Sequence, residues 1–272
     1  MNDQVSDTLA LPYQYDYYCG QGRQMKDLHM HSYYEISIVV QGNIDIIFED
    51  AIYTVTGCNI LVYPPYTLHS IVADSREIYE RHNLYLCADF LFSLLNRDKM
   101  QENFEKISSI IPVSSEQIQK QVGLLKLFQQ EPDQVNKKLF LTILLNDLCG
   151  YSLKETIREC RPQDSYIHDI LNYIYRNYQN KLVAEEIAVR FSVSRTKLFV
   201  DFKKAVGIPL NQYITQVRLS RAQQLLASGR TVEEAAQECG FLSSCNFYRV
   251  FKKHYQDTPR NRLHRTGDFS PR

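Results

Sequence analysis

The sequence predicts an α+β chain: a small β-barrel first, a helical segment next, and an all-α domain at the end. Three observations carry that expectation. Residues 29–87 break into short strand-like runs punctuated by Gly and Pro. Near the C-terminus, two similar pairs of short helices flank one longer helix. Charge also divides sharply between the two parts. At 272 residues, each part is long enough for a core of its own.

The formal net charge of +0 conceals an acidic front and a basic back. Residues 1–160 hold 13 Lys and Arg against 21 Asp and Glu, a net −8; residues 161–272 hold 18 against 10, a net +8. A basic C-terminal part suits phosphate contact, although two solvated surfaces of differing charge would look the same. No apolar run reaches membrane-spanning length, and the first residues lack the regions of a signal peptide. The expectation is therefore a cytoplasmic chain with no membrane partner. The seven cysteines (Cys19, Cys58, Cys87, Cys149, Cys160, Cys239, Cys245) form no CxxC pair and read as reduced thiols.

Residues 1–28 are rich in tyrosine and show no clear period. Strands are expected at 36–40, 44–48, 52–55, 59–63 and 83–87, with a hairpin turn at Gln41-Gly42-Asn43 and a stop at Pro64-Pro65. His29, His31 and Glu35 share parity, so a continuous strand turns all three to one face. Together with His69, and with Tyr33, Tyr53, Tyr63 and Tyr66, they offer stacking faces and hydrogen-bonding groups of the kind that sugars and other polar metabolites need. Part of the tyrosine enrichment is ordinary strand preference.

A helix is expected over 88–95. Ser114 and Gln117 form a capping box, after which Ile118, Val122, Leu125 and Phe128 recur at helical spacing. The next helix, 135–151, is apolar around most of its circumference. It needs two burial surfaces, both within its own domain or one against a second copy. Residues 158–165, with Pro162, read as a linker.

Ser165 can cap a helix over 166–178 whose inner face is Ile167, Ile170, Leu171 and Ile174. The first short pair occupies 183–191 and 194–205. Residues 210–227 form one helix of about 27 Å, which can hold two outer helices about one DNA turn, ~34 Å, apart. In the second pair Thr231 caps and Glu234 completes a capping box. Gly240 ends that helix in the left-handed conformation, and Ser244 is expected to cap the next. Phe247, Val250 and Phe251 then point inward, leaving Cys245, Asn246, Tyr248 and Arg249 outside, the pattern of a helix-turn-helix. Ala188, Ser192 and Ser194 take the corresponding places in the first pair.

These residues carry two resemblances. His29-x-His31-x3-Glu35-x6-Gly42 with Gly57, Pro64 and His69 resembles the two motifs of the cupin superfamily, with Cys58 and Tyr66 departing from the usual Asp and Gly. Residues 166–263 resemble the DNA-binding domain of the AraC/XylS family of transcription regulators. The match rests on Ala188, Ser194, Leu198, Phe202-Lys203-Lys204 and Gly207; on Tyr213, Arg218-Leu219, Ala222 and Leu225-Leu226; and on Ala236, Gly240-Phe241, Phe247, Arg249-Val250-Phe251-Lys252-Lys253 and Pro259. The resemblance implies a cupin-like effector-sensing barrel at 1–95, a helical linker and dimerisation segment at 96–157, and a double helix-turn-helix domain at 165–265.

It also implies a non-enzymatic regulator that binds double-stranded promoter DNA as a homodimer, takes a carbohydrate-type effector, and contacts RNA polymerase if it activates. Base-reading positions fall on Ser244, Cys245, Asn246, Tyr248 and Arg249. In the first unit they fall on Thr196, with Arg195 and Lys197 beside it; Phe199 and Val200 stand where polar residues are usual. Of these, Asn246 and Arg249 suit adenine and guanine edges, and Lys203, Lys204, Lys252 and Lys253 suit phosphates. No cofactor is required. The open alternative is a divalent metal on His29, His31, Glu35 and His69, serving a cupin enzyme or a metal-responsive regulator, and the donor set does not choose among Fe, Mn, Ni and Zn.

Overall fold

The computed structural model describes residues 9–22, 28–95, 102, 104, 106–107, 109–154 and 166–261. Eight strands form two facing sheets: β1 Tyr13–Gln21, β2 Tyr34–Gln41, β3 Asn43–Phe48, β4 Ala51–Thr56, β5 Asn59–Tyr63, β6 His69–Ala73, β7 Ile78–Leu86 and β8 Ile110–Pro112. One sheet runs in the order β1-β7-β2-β5-β8, the other β4-β3-β6. The helices are α1 Ala88–Leu94, α2 Ser115–Gln130, α3 Gln134–Lys154, α4 Tyr166–Asn177, α5 Ala184–Arg190, α6 Arg195–Val206, α7 Leu210–Ala227, α8 Val232–Glu238 and α9 Ser244–Tyr255.

The barrel interior is filled by Val39, Ile44, Ile46, Val55, Leu61, Tyr63, Ile71 and Tyr79. The outer face of the larger sheet is also buried: Ile36, Ile38, Ile60, Val62, Leu84 and Leu86 pack against Leu91, Ile118, Leu125, Phe128, Leu141, Leu144, Leu145 and Leu148 of α1–α3. Burial on both faces explains why β5 reads Ile60-Leu61-Val62-Tyr63 without alternation, and why β2, which carries Glu35 and Ser37 inward, still runs Ile38-Val39-Val40. The outer face of the smaller sheet meets the C-terminal domain, where Leu28, Met30, Ile47, Ile52 and Leu68 share one core with α4–α9.

Four expectations change. Residues 13–21 form a strand along β7; its tyrosines alternate between half-buried and exposed, and tyrosines on both faces hid the period. Gln41-Gly42-Asn43 makes no hairpin, because β2 pairs with β5 and β7 while β3 pairs with β4 and β6, so the chain changes sheets there. The barrel domain continues beyond residue 95, since β8 pairs with β5 and α2 and α3 cover the sheet. Helix α3 does not bury both its surfaces within the chain: Val135, Leu139 and Ile143 are 67%, 56% and 45% exposed, so of the two expected arrangements the intrachain one is set aside. The expected linker at 158–165 and the Ser165 cap lie outside the described residues.

The C-terminal domain follows the sequence closely, with α7 spanning residues 210–227 as expected. Thr231 and Glu234 close a capping box at α8, as do Ser114 and Gln117 at α2. After α8, Gly240 takes φ +72, and a Cβ there would meet the Gln179 carbonyl oxygen at 2.4 Å. Ser192 adopts φ 55 at the equivalent turn of the first unit. Gly229 has φ +90 with nothing near its missing Cβ. Gly229→Ala should therefore cost only the backbone term, about 1–2 kcal/mol, and Gly240→Ala clearly more, because a backbone oxygen must also move. Denaturant unfolding of the two variants checks this; equal losses would show that the Gln179 contact does not constrain the turn.

Candidate functional site

Two regions bring together the residues singled out by the sequence. In the barrel, His29 and His69 form an isolated antiparallel bridge, with backbone bonds His29 N to His69 O at 3.0 Å and the reverse at 2.9 Å. The Tyr66 amide donates to the His31 carbonyl at 2.7 Å, and Glu35 sits on β2 between Tyr63 and Tyr85. A regular strand begins only at Tyr34, so it is this bridge and loop, more than strand parity, that gather the cluster. One ligand atom from each of His29, His31, Glu35 and His69 lies within 4.8 Å of the others. His31, Glu35 and His69 are 2%, 3% and 1% exposed.

Three of the four cluster residues, His31, Glu35 and His69, are fixed from behind. His31 Nδ1 lies 2.8 Å from the Tyr33 carbonyl and His69 Nδ1 2.9 Å from that of Thr67. The carbonyls can only accept, so both rings donate through Nδ1 and present Nε2 to the centre. His31 stacks on Tyr33 and His69 on Tyr63, each pair with centroids 4.0 Å apart. Glu35 Oε2 lies 3.1 Å from His31 Nε2 and 3.6 Å from His69 Nε2. Its Oε1 accepts from Asn83 Nδ2 at 2.7 Å. Burial drives the Glu35 carboxyl upward, yet its contacts with the two imidazoles outweigh this and hold it well below the usual carboxylate range. Burial lowers His31 from its ordinary value.

Sequence reading missed the polar lining beside the cluster. Tyr79, Arg81, Asn83 and Tyr85 share one face of β7. Asn83 links Ser37 Oγ, at 2.5 Å, to the Tyr85 hydroxyl, at 2.9 Å. Arg81 is 5% exposed, with Nη2 3.7 Å from Asp16. Among the described residues, Arg81 Nη1 and the Tyr63 hydroxyl are buried without a hydrogen-bond partner. The 79-81-83-85 alternation was the available signal. Tyr33 and Tyr63 stack on the cluster, whereas Tyr53 pairs with Ile46 on the other sheet. Tyr66, with φ 62, turns its carbonyl to α7.

In the C-terminal domain, Ser243 rather than Ser244 caps α9, accepting from the Asn246 amide at 3.1 Å. Ser244 is thus the first helical residue, because the extended backbone at 243 places its hydroxyl over the open amides. Phe247 and Phe251 are buried, while Cys245 and Arg249 are exposed and Asn246 and Tyr248 half-buried. In the first unit Ser194 caps α6 as expected. Thr196 and Val200 are exposed, and Phe199 is half-buried against the core. Arg195 and Lys197 carry acidic partners, Glu185 at 2.8 Å and Asp201 at 2.5 Å, and Tyr166 also donates to Asp201. Lys203, Lys204, Lys252 and Lys253 are exposed in the last turns of α6 and α9, where the helix dipole also favours them.

Residues 15–143 match the model of the AraC-like ligand binding domain, and residues 187–265 that of a helix-turn-helix domain. The chain is 25% identical over 242 residues to the HTH-type transcriptional activator RhaS of Klebsiella pneumoniae, covering 86% of both chains. It is 29% identical over 96 residues to the Msm operon regulatory protein of Streptococcus mutans, covering 35% of this chain and 34% of that one. Among solved structures, ToxT from Vibrio cholerae O395 superposes with a TM-score of 0.40 at 14% identity, over 94% of this chain and 100% of that one. With its ligand-binding barrel joined to paired helix-turn-helix units, the chain belongs to the AraC family of transcription regulators.

Proposed function

We propose that the chain is a transcription activator that binds promoter DNA as a homodimer and responds to a carbohydrate-type effector in the barrel. The observation that carries the reading is α7: one rigid helix of 18 residues shares its core with both helix-turn-helix units. Two reading helices held on one rod suit successive major grooves on one face of a duplex.

Several features support the finer points. Asn83, Tyr85, Arg81 and the Tyr63 hydroxyl offer donors and acceptors inside the barrel, beside aromatic faces at Tyr33 and Tyr63, and a polyhydroxylated molecule uses both. Val135, Leu139 and Ile143 leave an apolar stripe on α3 for a second copy. Activation is taken from the RhaS relatives, which are transcriptional activators, and contact with RNA polymerase belongs to the same reading. Regulation is favoured over catalysis because two spaced reading units serve no catalytic need.

Division of labour between the two units is the testable core. Arg249 is exposed, and among the described residues it has no acidic partner, whereas Arg195 and Lys197 are already paired. With the DNA fragment upstream of its own coding region, Arg249→Ala should lose about 1–3 kcal/mol of binding and relax selectivity at one base pair. Fluorescence anisotropy against a panel of single-base variants reads both; unchanged selectivity would remove Arg249 from base readout. Val200→Ala should leave folding stability within about 0.5 kcal/mol and weaken binding only where a thymine methyl meets it. Phe199→Ala should instead lower the melting temperature, since its ring packs against the core. The opposite pattern would exchange their roles.

A further inference from the structure

We infer that the barrel selects an effector carrying one carboxylate, an acidic sugar rather than a neutral one, and that Arg81 is the residue that makes the choice. This deepens the reading of the barrel as a carbohydrate site and rests on it. Arg81 shares the inner face of β7 with Tyr79, Asn83 and Tyr85, and is the one cation among them. It is 5% exposed, and among the described residues its acidic partner is Asp16, whose Oδ2 lies 3.7 Å from Nη2. Nη1 is buried and has no hydrogen-bond partner among the described residues. Glu35 does not supply one, because its carboxylate is engaged by His31 and Asn83. A guanidinium held out of water in this way is costly unless an anion completes it.

The surrounding lining divides by polarity. Arg81 Nη1 and the Tyr63 hydroxyl are both buried and unpartnered among the described residues. A guanidinium can only donate. Burial, and then the charge of Glu35, raise the Tyr63 hydroxyl well above its ordinary value, so it keeps its proton and donates as well. The charge of Arg81 is felt at both Tyr63 and Tyr85, which puts the guanidinium within reach of the cluster. Acceptors lie on the other side, at Glu35 Oε2 and at His69 Nε2. The latter is buried and unpartnered too, and offers a lone pair because Nδ1 donates to Thr67. A hexuronate has the matching polarity. Its carboxylate only accepts, and its hydroxyls can donate to Glu35 and His69. A neutral hexose would leave the guanidinium without its anion. A sugar phosphate, with about two negative charges, would meet a charged Glu35 and a guanidinium already shared with Asp16.

Asp16 sets the strength of the preference. It stands opposite Asn83 on β1, the edge strand of the larger sheet, and its side chain is 49% exposed. The Arg81 guanidinium is therefore one side chain behind the surface. At 3.7 Å the pair is longer than a charge-assisted hydrogen bond. An incoming carboxylate can take Nη1 while Asp16 stays beside Nη2, and the two acids then repel across the same fork. Neutralising Asp16 removes that repulsion and leaves the hydroxyl contacts of the sugar as they were.

The test is isothermal titration calorimetry on the full-length chain. D-Galacturonate and D-glucuronate are the probes, with D-galactose and D-glucose as their neutral counterparts. Each acid should bind about tenfold or more tightly than its parent sugar. Arg81→Gln should remove that difference. Asp16→Asn should tighten binding of the acids alone. Because Asp16 is half exposed, this gain is readable even if the buried Arg81 variant folds poorly, which near-ultraviolet circular dichroism monitors. Equal affinity for acid and parent sugar in the native chain would overturn the inference. So would a preference for the acid that survives Arg81→Gln, or acid binding that weakens in Asp16→Asn. Binding of the neutral sugars alone would overturn the inference and leave the carbohydrate reading standing. Binding of neither kind would overturn both.

Discussion

Helix α7 is buried on nearly every side, and the rest of the chain is arranged by what that burial requires. Leu210, Tyr213, Ile214, Val217, Leu219, Ala222 and Leu226 are enclosed by the two helix-turn-helix units and the barrel. Gln216, Ser220 and Gln223 are buried too. A helix in that position must satisfy polar groups where it meets the barrel, and two of these three do so on backbone carbonyls of Leu28 and Tyr66. The Tyr213 hydroxyl donates to the Glu49 carbonyl, and Tyr175 reaches the Glu49 carboxylate at 2.5 Å. The reading units and one face of the barrel pack against α7 in a single core, and a seam of hydrogen bonds adds to the barrel's contact. Such bonds contribute only about 0.5–1.5 kcal/mol each, a scale that a bound ligand can match.

The helical half was the more legible because its signals are local. Capping boxes at Thr231 and Ser114, the left-handed Gly240 and the even spacing of buried residues in α4 each need only a few neighbouring residues. The cap at α9 was misplaced by one residue, since two adjacent serines offer the same chemistry and only the backbone at Ser243 decides between them. Polar residues along α7 read as a solvent face in sequence; their burial depends on a partner some 150 to 190 positions away in the chain.

The barrel was legible as an inventory and obscure as a topology. The five expected strands appear close to where they were placed, three more at 13–21, 69–73 and 110–112 were not expected, and which strand pairs with which is set by long-range register that no local pattern records. The four cluster residues were found from their resemblance to the cupin motifs, and the structure gathers them by a bridge and a loop rather than along one strand. Arg81 and Asn83 were passed over because charged and amide residues on a strand are ordinarily taken to face water. Here both faces of β7 are buried, so the polar face turns into the barrel.

The central claim is that one rigid rod presents two reading helices to one face of a duplex. Hydroxyl-radical footprinting of the full-length chain on its target DNA tests this directly. Each bound protomer should protect two short patches on the same face, about one helical turn, or roughly 10 base pairs, apart. A single protected patch per protomer, or two patches on opposite faces, would contradict it.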